Sequence, residues 1–142
     1  MNNMTLERLI IALRMELEKI CDGFDSEDGN KKSNLTLKMR MLFLLSTHGE
    51  LTPNSLISSL GLAKSNLTIL CRSLLEEGLI EVKKSETDKR TISYILTNKG
   101  EKQLKTYLNQ LKVDNINLFK SERSVKALEK KLSEVYALLN KK

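Results

Sequence analysis

Leu6, Leu9, Ile10, Leu13, Leu17 and Ile20 recur at spacings of three and four, which places them on one face of a first helix and demands a partner to cover it. The next stretch, Asp22 to Asn34 (DGFDSEDGNKKSN), has no such period and gathers glycines, acids and polar residues, the composition of a solvated connector. From Leu35 to Thr47 the chain is apolar nearly all round, with Leu37, Met41, Leu42, Leu44 and Leu45, as in a helix buried in the middle of a small domain. Gly49 ends that helix. Thr52 and Pro53 supply an N-cap and a first-turn proline for a short helix with Leu56, Ile57 and Leu60 on one face. After a tight turn at Gly61-Leu62, a second helix is predicted from about Lys64 to Glu77. Leu67, Leu70, Cys71, Leu74 and Leu75 face inward on it, and Lys64, Ser65, Asn66, Thr68, Ile69, Arg72 and Ser73 face outward.

Gly78 stops this helix and the period changes to two. Leu79 to Lys84 and Arg90 to Thr97 alternate, with Ile80 and Val82 on one strand and Ile92, Tyr94 and Leu96 on the other, so a hairpin is predicted with Ser85-Glu86-Thr87-Asp88-Lys89 at its tip. Two short helices joined by a glycine-containing turn and followed directly by a hairpin define a winged helix-turn-helix. Thr97 can N-cap a further helix bearing Leu104, Leu108 and Leu111. Beyond it Val125, Leu128, Leu132, Val135 and Leu139 repeat at 3, 4, 3, 4, which is a helix-packing seam. The fold class expected is therefore mainly α with a small β-hairpin wing.

A length of 142 residues suits a single domain, 1–142, and 40% hydrophobic with 30% charged residues suits a chain that buries a core and keeps a wet surface. The longest wholly apolar run, Met41 to Leu45, is too short to cross a membrane, and MNNMTLERLI lacks the features of a secretory signal, so a cytoplasmic location and no membrane partner are expected. The net charge of +6 favours polyanionic partners. Its distribution sharpens that: 5 basic and 7 acidic residues in 1–33, 9 and 6 in 34–100, 10 and 5 in 101–142, and no acid at all from Leu51 to Leu75. A surface that lies against phosphates needs such a gap.

Other chemistries lack material. Cys21, Cys71 and the lone His48 form no zinc or redox spacing, and Asp22, Asp25, Glu27 and Asp28 miss the alternating ligand positions of a calcium loop, so neither a metal nor a cofactor is expected. No phosphate loop, nucleophile elbow or Cys/His pair marks a catalytic site, and no enzyme is expected. Six aromatic residues without a tryptophan leave few platforms for single-stranded nucleic acid.

The wing carries D-x-R-x(5)-L-T-x-x-G as Asp88, Arg90, Leu96, Thr97 and Gly100. Together with LTLKMRMLFLLSTHGELTPNSLISSLGL before it and LTILCRSLLEEGLIEV across the second helix and first wing strand, this resembles the MarR family of bacterial winged helix-turn-helix transcription regulators over residues 35–100. The resemblance implies a homodimer on a pseudo-palindromic double-stranded DNA operator, with a recognition helix in the major groove and a wing arginine in the minor groove. It makes residues 1–21 and 101–142 the helical dimerisation region, and adds a small-molecule effector as a candidate partner.

By position, Lys64, Ser65, Asn66, Thr68 and Arg72 would be the DNA-binding residues of the recognition helix. Lys83, Lys84 and Arg90 would serve the wing, with Asp88 steadying it. Two departures stand out: Ala63 replaces a frequent capping serine, and Ile69 replaces a frequent arginine, which changes the base contacts. Rival readings stay open. The outward face of the second helix could be merely its solvated side, Arg90 could be paired with Asp88, Cys71 is a small core residue by its inward position, and Cys21 is either that or an oxidant sensor. A transcription regulator, repressor or activator, is the expected role, and the alternative is a winged-helix protein-interaction module that does not bind DNA.

Overall fold

The computed structural model describes residues 5–22, 36–88, 90–119 and 121–140, which form six helices and three short strands. The connector from 23 to 34, Leu35, Lys89 and the side chains of Ile20 and Cys21 lie outside the described residues. Helix α1 spans Leu6–Asp22, α2 Leu37–His48, α3 Pro53–Leu60, α4 Lys64–Glu76, α5 Asn98–Phe119 and α6 Glu122–Leu139. Strand β1 is Glu50–Leu51, β2 Ile80–Lys84 and β3 Ile92–Leu96.

The helix starts follow the capping residues. Thr36 Oγ1 accepts a hydrogen bond from the Met39 amide at 3.2 Å, Thr52 Oγ1 does the same for Ser55 at 3.2 Å, and Ser121 caps α6 through Ser124. Because Thr36 is the cap, α2 begins at Leu37 rather than Leu35. Gly61, at φ +65°, takes the left-handed conformation that ends α3, and its amide returns to the Ile57 carbonyl at 2.9 Å.

The core gathers one face from each element of the winged helix: Met41, Leu42 and Leu45 from α2, Leu56 from α3, Leu67, Cys71 and Leu74 from α4, then Leu79, Ile80 and Leu104. All ten are buried. Leu75, expected inward, is 38% exposed, because Leu74 takes the inward position in the last turn of α4 and its neighbour is rotated about 100° away. Val82, expected to follow Ile80 inward, is 43% exposed, since β2 runs out beyond the helices after its first residue.

The sheet has three strands, in the order β1-β3-β2, all antiparallel. The hairpin register pairs Ile80 with Leu96, Val82 with Tyr94 and Lys84 with Ile92. Strand β1, which the alternation does not predict, pairs Glu50 with Ile95 and Leu51 with Tyr94 on the other edge of β3.

The L-T-x-x-G segment locks the wing to the next helix. Thr97 Oγ1 donates to the Gly78 carbonyl at 2.6 Å and accepts from the Gly100 amide at 3.0 Å, while the Thr97 amide donates to the Leu79 carbonyl at 3.1 Å. Gly100 is buried where any Cβ would lie 2.2 Å from the Leu79 carbonyl oxygen, so α5 can rest on the backbone at the root of β2 only through a glycine. Helix α5 then packs on α2, with α1 and α6 laid against it. Among the described residues no helix is long and apolar enough to cross a membrane.

Candidate nucleic-acid interface

Helix α4 presents its inner face to α2, α3 and β2, and that contact fixes which side remains open. Lys64, Ser65, Asn66, Thr68, Ile69, Arg72 and Ser73 are all exposed, so the structure brings the five nominated residues of this helix onto one outer surface. Thr68 Oγ1 donates to the Lys64 carbonyl at 3.0 Å, which uses its one hydroxyl proton and leaves its oxygen able to accept. No side-chain cap meets the first turn at Ala63. The first amides of α4 therefore lack a side-chain acceptor, and with the positive end of the helix dipole they favour an anion there.

A carboxylate enters this surface at its C-terminal end, where Glu76 is exposed one turn beyond Arg72, while the next acid is tied to neighbouring helices. Glu77, just past the helix end, pairs with Lys38 of α2 at 2.8 Å, and its carbonyl accepts from Lys99 Nζ at 2.8 Å. Both contacts pull the C-terminal end of α4 toward α2 and α5.

The wing tip is built by short polar side chains. The Ser85 amide donates to the Thr91 carbonyl at 3.0 Å, and Ser85 Oγ accepts from the Thr87 and Asp88 amides, each at 3.3 Å. Asp88 then spends both carboxylate oxygens on the turn: Oδ1 accepts from the Arg90 amide at 3.0 Å and Oδ2 from Thr91 Oγ1 at 3.2 Å. Asp88 thus grips the backbone of Arg90, not its guanidinium. Among the described residues no carboxylate pairs with Arg90, Arg72, Lys64 or Lys84.

Lys83 differs from the other nominated bases. Its Nζ lies 3.1 Å from Glu50 Oε2, with both side chains about half exposed, so a phosphate would have to compete with an existing, weak surface pair. Glu50 escaped the sequence reading because its role depends on β1 bringing it beside the wing. Ser85 and Thr91 were likewise passed over. Their only signal in the chain is that short hydroxyl side chains flank the turn acid.

Between α3 and α4 lies an open cleft of about 360 Å³ whose wall includes Pro53, Thr68, Cys71 and Tyr94. Burial pushes the Cys71 thiol up from its ordinary range, and a hydrogen bond with Tyr94 opposes that only in part. The neutral thiol is a poor nucleophile, which suits a core residue. Among the described residues no group of His, Cys, Asp or Glu could hold a metal ion.

Comparison with known proteins finds likenesses to these elements. The MarR family model matches residues 37–92, from the start of α2 to the start of β3. A search of curated protein sequences finds no match. Among solved structures, wild-type apo MarR from E. coli superposes with a TM-score of 0.68 at 22% identity, covering 95% of this chain and 98% of that one. A MepR mutant from S. aureus gives 0.64 at 19%, covering 96% and 100%. The transcriptional regulator Tm0710 from Thermotoga maritima gives 0.63 at 18%, covering 94% and 92%. At such identities the likeness speaks for the fold, and it extends over the flanking helices as well as the winged helix.

Proposed function

From a chain whose residues 37–92 are a winged helix of the MarR family, set among flanking helices in the MarR fold, we propose a sequence-specific regulator of transcription that binds double-stranded DNA as a homodimer. The observation that carries this reading is the outer face of α4, exposed and without a carboxylate from Lys64 to Leu75, beside a wing whose arginine has no carboxylate partner among the described residues. In that reading Lys64, Ser65, Asn66, Thr68 and Arg72 enter the major groove. Lys83, Lys84 and Arg90 meet the backbone and the adjacent minor groove, with Asp88 holding the turn. Helix α1 with α5 and α6 supplies the dimer contact, which fixes the two α4 helices one duplex turn apart on a pseudo-palindrome. A small molecule releases such a dimer only by binding the DNA-incompetent arrangement better, by the roughly 1–3 kcal/mol typical of coupling.

The test is binding to a duplex selected from a random pool, followed by titration at several salt concentrations. If a dimer covers about 6–10 phosphates, affinity falls roughly 10³ to 10⁵-fold between 50 and 200 mM salt. A selected pool with no enriched sequence, or a flat salt response, overturns the reading and favours a protein-interaction module.

A further inference from the structure

Ile69 is 64% exposed, more than any other large apolar side chain of the winged helix among the described residues. It lies at the centre of the outer face of α4. At about 100° per residue it is 200° from both Leu67 and Cys71, the buried residues on either side of it, with Ser65, Asn66, Arg72 and Ser73 as its helical neighbours at three and four positions. Among the described residues nothing covers it. A β-branched aliphatic residue in such a place adds neither core packing nor helix propensity, and leaves apolar surface in water.

Resting on the duplex-binding reading above, we infer that Ile69 is a specificity-determining residue that packs on the C5-methyl group of a thymine in each half-site. Along the major groove each base pair offers hydrogen-bond donors and acceptors, and the thymine methyl is the one apolar group among them. An isoleucine pressed against any other base edge would strip water from a polar group and return no hydrogen bond. Asn66 and Arg72, one turn to either side, have the amide and guanidinium that pair with adenine and guanine, so the polar part of the readout is supplied by neighbours. Ile69 then contributes methyl recognition at the position between them.

Deoxyuridine differs from thymidine only by that methyl, which makes the test direct. The selected operator is prepared with each thymine replaced in turn by deoxyuridine, and the full-length protein is titrated against each duplex by fluorescence anisotropy. One thymine position per half-site is expected to weaken binding about fourfold when demethylated, the value of one buried methyl-sized group. The Ile69→Ala protein, which keeps an exposed helical position and its fold by circular dichroism, is expected to bind the two duplexes equally. Tight operator binding with no sensitivity to any single replacement overturns the inference and leaves the duplex-binding reading standing. Sensitivity that persists unchanged in Ile69→Ala also overturns it, assigning the methyl to another side chain such as Thr68. Failure to bind any duplex removes both readings together.

Discussion

Arg72 and Arg90 carry the same charge on different supports, and their consequences separate accordingly. Arg72 stands on a helix whose inner face is locked into the core, so its guanidinium can be aimed at a base edge; Arg90 stands on a turn held by the Asp88 carboxylate, and can follow the shape of a groove. Arg72→Ala is expected to relax preference at one operator position at a cost of about 1–3 kcal/mol. Arg90→Ala should weaken binding across many sequences, most beside A·T-rich steps. Quantitative binding to a panel of single-base operator variants distinguishes the two, and equal binding by both proteins and wild type would discard the assignment. The outer face of α4 was legible because its polar residues keep the helical period. The freedom of Arg90 was not: Asp88 and Arg90 two residues apart permit an ion pair as readily as a carboxylate turned to the backbone, and only the turn geometry chooses.

Cys71 shows a second residue-scale effect. Burial raises the proton affinity of both Cys71 and its hydrogen-bonded neighbour Tyr94 in the folded chain, so the unfolded chain loses these protons first as pH increases. Their contribution to stability is complete below the unfolded thiol range, about pH 8.5, and drains away as pH rises above it. Urea denaturation should therefore give a constant midpoint from pH 7 to 8 and a falling one above it. The fall is expected to begin at higher pH in Cys71→Val, which removes the thiol and retains a small apolar side chain.

Among the elements, the wing and its clamp show where pattern suffices and where it fails. The hairpin declared itself through alternation and a polar tip, and Thr97 through its position before an amphipathic run. Strand β1 could not be read, because Glu50 and Leu51 are too few to alternate and gain their pairing only from β3, more than forty residues on. Gly100 carried a motif but no visible reason until the Leu79 carbonyl was found against it. Gly100→Ala tests that reason. Helix propensity alone would favour alanine by about 1 kcal/mol, whereas a Cβ forced onto a backbone oxygen costs about 1–3 kcal/mol or more by displacing α5. Net destabilisation in chemical denaturation is expected, together with weaker operator binding. A stabilised variant would mean that the clamp yields.

For the molecule as a whole, the decisive quantity is apolar surface that one chain leaves bare. Leu6, Ile10 and Ile11 of α1 and Tyr136, Leu138 and Leu139 of α6 are all more than half exposed, at opposite ends of the sequence but on the helices that flank the winged helix. Leu128 and Leu132 in the seam of α6 are already partly buried within the chain, so charging them would damage the fold along with any interface. Leu6 and Ile10 are the better probes: at 69% and 57% exposure they contribute little to the single chain's own packing. In a two-fold assembly the same patch meets its copy, so each substitution acts twice. Leu6→Glu with Ile10→Glu should leave the helical circular dichroism spectrum intact and shift sedimentation from dimer to monomer. Operator affinity should fall by about 10² to 10⁴-fold, because each half-site is then bound without the effective concentration its linked neighbour provides. A monomeric wild type with full affinity for the palindrome would refute the dimer, and a charged variant that remains dimeric would place the subunit contact elsewhere.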